Sequence, residues 1–262
     1  METVTLLADF YSNYDEEGRL LTKHGSVEFL TTMRYIEKYL HSDMRILEIG
    51  AATGRYSHTL ARMGYQVDAV ELVQHNIDIF CSKTQPGEQI TICQGDARDL
   101  SFLEDERYDM VLLLGPMYHL FTVEDQKKAL SEALRVTKKN GIFMAAYCGN
   151  EATMVQYCFG RGMLKEDKYK KLVDPVTFKA SSDPAELFEL YRWEEIDALM
   201  SHFSTKRLHY VGVDMATNYM RPVIDEMDDE FFNLYLQYHF SICERSDCVG
   251  VSHHILDIHR KN

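Results

Sequence analysis

The 262-residue chain has no excess of positive charge: 28 Lys and Arg stand against 41 Asp and Glu, a formal net charge of −13. Nucleic-acid binding rests on basic surface facing phosphates, and anionic lipid asks for the same. Both partner classes are therefore disfavoured, and a small molecule is the expected partner. No apolar run approaches the ~20 residues that span a bilayer. The opening METVTLLADFYSNYDEEGRL has neither the basic start nor the long apolar core of a secretion signal. The expectation is a cytoplasmic protein. Its six cysteines (81, 93, 148, 158, 243 and 248) fall in no CxxC pair and read as reduced core thiols. Cys243, Cys248, His253 and His254 make a poor zinc set. Their Cys-x4-Cys spacing is loose, and alternation along a strand would send adjacent histidines to opposite faces. No metal is expected.

A strict dinucleotide loop is missing as well. In RILEIGAATG (45–54), aligning Gly50 with the first glycine of G-x-G-x-x-G puts Ala52 at the second position and Arg55 at the third. That loop serves a pyrophosphate poorly. What is present is a short apolar strand, then Gly50 and Gly54, which admit positive φ and close approach of a ligand to the backbone. RYSHTLARMG follows at helical spacing and stops at Gly64. Strands and helices then alternate. Strands are expected over 45–49, 65–72, 89–96, 108–115 and 140–148, with an Asn-Gly turn opening the last. A helix is expected over 122–138, capped by Thr122. Helices over 5–17 and 25–40 precede this core.

Beyond Cys148 the pattern loosens. Residues 149–192 read as an insertion, 193–203 as helix and 204–214 as strand. Residues 215–245 read as a second, helical insertion with Met227, Phe231, Leu234 and Tyr238 on one apolar stripe. A strand over 250–261 closes the chain. The aromatic residues Tyr219, Phe231, Phe232, Tyr235 and Tyr238 could wall an acceptor pocket, although such a stripe is more often core. One domain is expected: a helical lid (1–42), a cofactor-binding core (43–148) and lid insertions at 149–192 and 215–245.

Four motifs in order carry a family resemblance. EIGAATG (48–54), Glu71 at the end of the second strand, QGDARDL (94–100) and DMVLLLGPMYHL (109–120) resemble the class I S-adenosylmethionine-dependent methyltransferases, in a small-molecule form with GPxYHL. Ala52 departs from that family's usual glycine. The resemblance covers about residues 10–148 and the closing strands. It implies an α/β fold with a Rossmann-like seven-stranded sheet whose last strand is antiparallel. It implies S-adenosyl-L-methionine as cofactor and in-line methyl transfer to an N, O or S nucleophile of a small molecule.

The resemblance places Gly50, Ala51 and Gly54 against the amino-acid end of the cofactor, with Glu48 ordering their loop. Glu71 would accept from the ribose diol, with Leu72 beside it, and Asp96 and Ala97 would meet the adenine. Leu114 and Gly115 would line the turn after the fourth strand. Tyr14 and Arg19 would close over the methionine carboxylate. Tyr118 and His119 are the candidate catalytic pair, with His119 either a general base or a structural acceptor. Two other readings stand beside this one: a cofactor-binding sensor or scaffold without turnover, and an NAD-dependent oxidoreductase, which Ala52 and Arg55 disfavour.

Overall fold

In the computed structural model, the structure describes residues 5–7, 10, 11, 18, 21–185 and 188–262. Tyr14 and Arg19 lie outside them. Helix α1 (Lys23–Tyr39) begins at Thr22, whose hydroxyl accepts from the Gly25 N–H. It packs over a sheet whose early strands are β1 (Arg45–Ile49), β2 (Gln66–Glu71), β3 (Ile90–Gln94) and β4 (Tyr108–Leu113). Helices α2 (Arg55–Arg62) and α3 (Gln74–Lys83) make the first crossovers, and α4 (Val123–Val136) returns to β5 (Thr137–Gly149). The Thr122 cap is as expected: its hydroxyl accepts from the Asp125 N–H at 3.1 Å.

Short elements follow: α5 (Asn150–Thr153), α6 (Asp167–Lys170) and β6 (Leu190–Tyr191). Then come α7 (Trp193–Met200), β7 (Thr205–Gly212), α8 (Arg221–Asp225), α9 (Asp229–Ile242) and β8 (His254–Lys261). The sheet order is β3-β2-β1-β4-β5-β8-β7, with β8 antiparallel to both neighbours. The two-residue β6 adds an eighth strand, parallel to the end of β5. Strand order reverses between β1 and β4, and ligands bind at such a switch point, beyond the carboxyl ends of the strands.

Alternation along the strands builds two cores. Leu47, Ile49, Val111, Leu113 and Phe143 face α4 and α7, whereas Ile46, Met110, Leu112 and Met144 face α1 and α2. The expected Asn-Gly turn lies inside β5 rather than before it. Tyr108 pairs with Thr137 and Met110 with Ile142, so residues 138–141 bulge out, with Asn140 at φ +63°. The closing strand starts four residues later than expected, because a 3-10 turn occupies Val249–Val251.

Two expectations need correction. Cys81 and Cys93 are exposed, so not all six free thiols are core thiols. On α9, Phe231, Leu234 and Tyr238 are each more than half exposed. The helix instead buries Leu236 and His239, and His239 Nε2 lies 2.9 Å from the buried Thr31 hydroxyl of α1. That polar pair turns the apolar stripe outward. Among the described residues, no helix is long and apolar enough to cross a membrane.

Candidate active site

The loop leaving β1 is tightly folded. Gly50 N–H donates to Val70 C=O at 2.8 Å, and Gly54 N–H donates to Ala51 C=O at 2.8 Å. Gly50 sits at φ +78°, and a Cβ there would stand 2.5 Å from Pro116 Cδ. Ala52 takes φ +46°, in the left-handed region that favours glycine. Gly54 sits behind the loop rather than on the cavity wall, where a Cβ would stand 2.4 Å from the Phe80 ring. Its role is to let α2 start.

Three acidic side chains hold this end in shape. Glu48 is buried, and one of its oxygens accepts from both the Ser57 N–H and the Ser57 hydroxyl. Burial pushes its carboxyl up to about 8, against the pull of those two bonds. Glu71 accepts from Ala52 N–H and Val73 N–H at 2.9 Å each, and from the Asn76 amide at 3.3 Å. It therefore ties the glycine loop to the start of α3, and it also lines the cavity. Arg98 grips both oxygens of Asp96, donating to Oδ1 at 3.0 Å and to Oδ2 at 2.6 Å. Burial would raise the Asp96 carboxyl, but Arg98 outweighs it and holds the group below its ordinary range. The sequence reading did not foresee Arg98.

A cavity of about 800 Å³ opens beside this loop. Glu48, Gly50, Ala51, Glu71, Leu72, Asp96 and Ala97 line one end, and Leu114, Gly115, Tyr118 and His119 continue the wall. Of the expected site residues that the structure describes, Gly54 alone is not on that wall. The buried guanidinium nitrogen Arg55 Nε reaches the same cavity without a hydrogen-bond partner among the described residues. An orphaned cationic donor beside a ring of backbone amides fits the carboxylate of an amino-acid ligand, and Glu71 fits a vicinal diol.

His119 Nε2 lies 2.9 Å from the Tyr11 hydroxyl, and burial brings the imidazole down to about 4. The ring is thus neutral at neutral pH. Phe188 stands edge-on to it at 5.0 Å between centroids. Beyond lies a polar end built by both insertions and by β8, including Tyr157, Asp214, Arg221 and His254. Burial would raise Asp214, but the charge of His254 outweighs it and keeps that carboxylate ionised. Burial would lower His254, but Glu28 and Asp214 hold its proton on. The aromatic residues of α9 are not on the wall; Tyr235 instead meets the Thr217 hydroxyl at 2.6 Å. Glu28, Asp214 and His254 carried no local motif, because they meet only through tertiary folding.

Residues 46–141 match the family model for the methyltransferase domain. A glycine/sarcosine N-methyltransferase of Aphanothece halophytica is 31% identical over 106 residues, 40% of each chain. A demethylmenaquinone methyltransferase of Clavibacter sepedonicus is 30% identical over 155 residues, 59% of this chain and 58% of that one. The chain thus spans about half the length of the curated relatives it matches. Among solved structures, a phosphoethanolamine N-methyltransferase of Haemonchus contortus superposes with a TM-score of 0.61 at 13% identity, covering 99% of this chain and 48% of that one. Over residues 46–141 the chain is therefore similar to methyltransferase domains, and its β3-β2-β1-β4-β5-β8-β7 sheet has the fold of the solved methyltransferase structures.

Proposed function

We propose that this protein transfers a methyl group from S-adenosyl-L-methionine to a nucleophilic atom of a small molecule. The observation that carries this reading is the continuity of the cavity. It runs from the Gly50 loop and Glu71 at one end to Tyr11, Tyr118 and His119 and on to the insertions at the other. The bound cofactor would supply an activated methyl on a sulfonium, so the protein has to align and enclose more than activate. Gly50, Ala51 and Arg55 hold the amino-acid end, Glu71 takes the ribose hydroxyls, and Asp96, Ala97 and Leu72 border the adenine. Leu114 and Gly115, on the same wall, would border the cofactor after β4.

The acceptor then enters against Tyr118, with Phe188 and the residues of the two insertions excluding water. His119 is the weaker candidate for general base. A group that titrates near 4 takes up a proton poorly at neutral pH, and its near-term partner is the Tyr11 hydroxyl. Its role here is to hold Tyr11 on the cavity wall. A concave cavity of about 800 Å³ and a net charge of −13 both favour a small acceptor over a polyanion. Two curated relatives bear names of small-molecule methyltransferases, which supports the same class.

The test is incubation with methyl-labelled S-adenosylmethionine and a small-molecule extract, followed by mass analysis. Label in a low-mass product supports the reading. Tight cofactor binding with no labelled product from any extract would favour a cofactor-binding protein without turnover.

A further inference from the structure

At the far end of the cavity lies a side-chain cluster that methyl transfer, as described above, does not use. Cys148 stands near the end of β5, and the antiparallel register sets it opposite His254, the first residue of β8. His253 precedes the strand, so alternation does not separate the two histidines. Both line the cavity, with ring centroids 4.8 Å apart. One ligand-capable atom from each of Cys148, His253 and His254 lies within 4.8 Å of the other two. Metal bonds of ~2.3 Å to sulfur and ~2.1 Å to nitrogen in a tetrahedron would set such atoms about 3.5 Å apart. Side-chain rotation can supply a closure of that size.

Two independent features prepare these groups. Asp214 is buried and accepts from the Ser252 hydroxyl at 2.7 Å, from the His253 N–H at 2.8 Å and from the His254 N–H at 3.1 Å. A carboxylate so fixed meets His254 Nδ1 at 2.7 Å. It thereby orients the ring and directs Nε2 away from itself, the arrangement by which carboxylates position metal-binding histidines. His253 is 9% exposed, and its Nδ1 is buried with no hydrogen-bond partner among the described residues. An orphaned buried nitrogen costs free energy that a bound cation would recover.

We propose that Cys148, His253 and His254 bind a thiophilic divalent cation, zinc foremost, with its fourth coordination position open to the cavity. Thiolate with two imidazoles is a donor set suited to such ions, and three protein ligands with one open position is the form of a reactive site rather than a structural one. Glu28, whose carboxylate lies 3.4 Å from His254 Nδ1, adds negative charge beside the cation. On binding, the Cys148 thiol and the His254 imidazolium release their protons to solvent, and the cation takes their place. The fourth position would hold water, or a sulfur, nitrogen or oxygen of a molecule in the acceptor end of the cavity. The site stands on these residues alone and does not depend on the methyl-transfer reading.

The experiment strips the purified full chain with a chelator, reloads it with zinc or cobalt(II), desalts it and measures bound metal by plasma mass spectrometry. The expected result is about one equivalent of metal per chain. The cobalt form should show a thiolate-to-cobalt band in the near ultraviolet and the strong visible absorption of a tetrahedral ion. Cys148→Ser should abolish the charge-transfer band, and His253→Gln should weaken zinc binding at least about tenfold. Cys243→Ser removes a buried thiol that bonds Tyr35 instead, and should change neither readout. Circular dichroism establishes that each variant is folded. A folded wild type that retains no metal, or a charge-transfer band that survives in folded Cys148→Ser, would overturn the assignment. If Cys148→Ser does not fold, the wild-type stoichiometry and the His253→Gln affinity decide.

Discussion

Glu48 is a carboxylic acid inside a buried strand, and Ser57 donates to it from both its N–H and its hydroxyl. Burial raises it to about 8, so between about pH 4.5 and pH 8 the folded chain keeps a proton that the unfolded chain gives up. Stability from this group therefore falls as pH rises through that window, by up to about 1.4 kcal/mol per pH unit for one proton. Glu48→Gln should flatten the pH dependence of thermal unfolding between pH 5 and pH 7.5 relative to wild type. Parallel curves would show that Glu48 is ionised in the folded protein.

Gly50 makes a different kind of case. Its positive φ and the 2.5 Å approach of a would-be Cβ to Pro116 mean that Gly50→Ala both strains the backbone and pushes on the turn after β4. A loss of about 1–3 kcal/mol in chemical unfolding is expected, with weaker cofactor binding. An unchanged midpoint would mean that the loop relaxes freely. The glycine was legible in the sequence because backbone freedom is written in residue type. The ion pair between Asp96 and Arg98 was less so, since DAR reads equally well as a turn.

Among the elements, the crossovers from β1 to α4 followed the sequence closely, because apolar period, caps and glycine stops agree along that stretch. The later helices did not. Periodicity in α9 reveals two unlike faces but not which one is covered, and the buried Thr31–His239 pair decided that against the apolar stripe. Likewise, because β8 starts only at His254, His253 lies outside the strand and both histidines meet the same cavity, against the expected divergence.

The Tyr11–His119 contact joins Tyr11 to the turn after β4. Removing the hydroxyl with Tyr11→Phe deletes one hydrogen bond, an effect of about 0.5–1.5 kcal/mol. Turnover should drop about two- to tenfold with little change in the Kd for cofactor, as read by steady-state kinetics beside calorimetry. Equal loss in kcat and in cofactor affinity would instead assign Tyr11 to cofactor binding.

For the molecule as a whole, the family match covers residues 46–141, while the far end of the cavity is built from residues before and after them. That division explains what could be read in advance. The residues proposed for the cofactor lie in one contiguous run of motifs. The far end of the cavity gathers Glu28 from α1, Tyr157 and Phe188 from the first insertion, and Asp214 and Arg221 from around the second. No spacing rule links positions so far apart in the chain. The acidic balance of the whole chain adds a bias against polyanionic acceptors that no single residue supplies.

The cofactor assignment is most directly exposed by titration calorimetry of S-adenosylmethionine into wild-type protein and Glu71→Ala. Glu71 is the carboxylate that joins the glycine loop to α3 and faces the cavity. Wild type should bind, and the variant should bind more weakly by about 1–3 kcal/mol, roughly 5- to 150-fold in Kd. An unchanged Kd in a folded variant would remove the ribose contact from Glu71. Failure of wild type to bind, or equal affinity for NAD, would contradict the assignment of this cavity to S-adenosylmethionine.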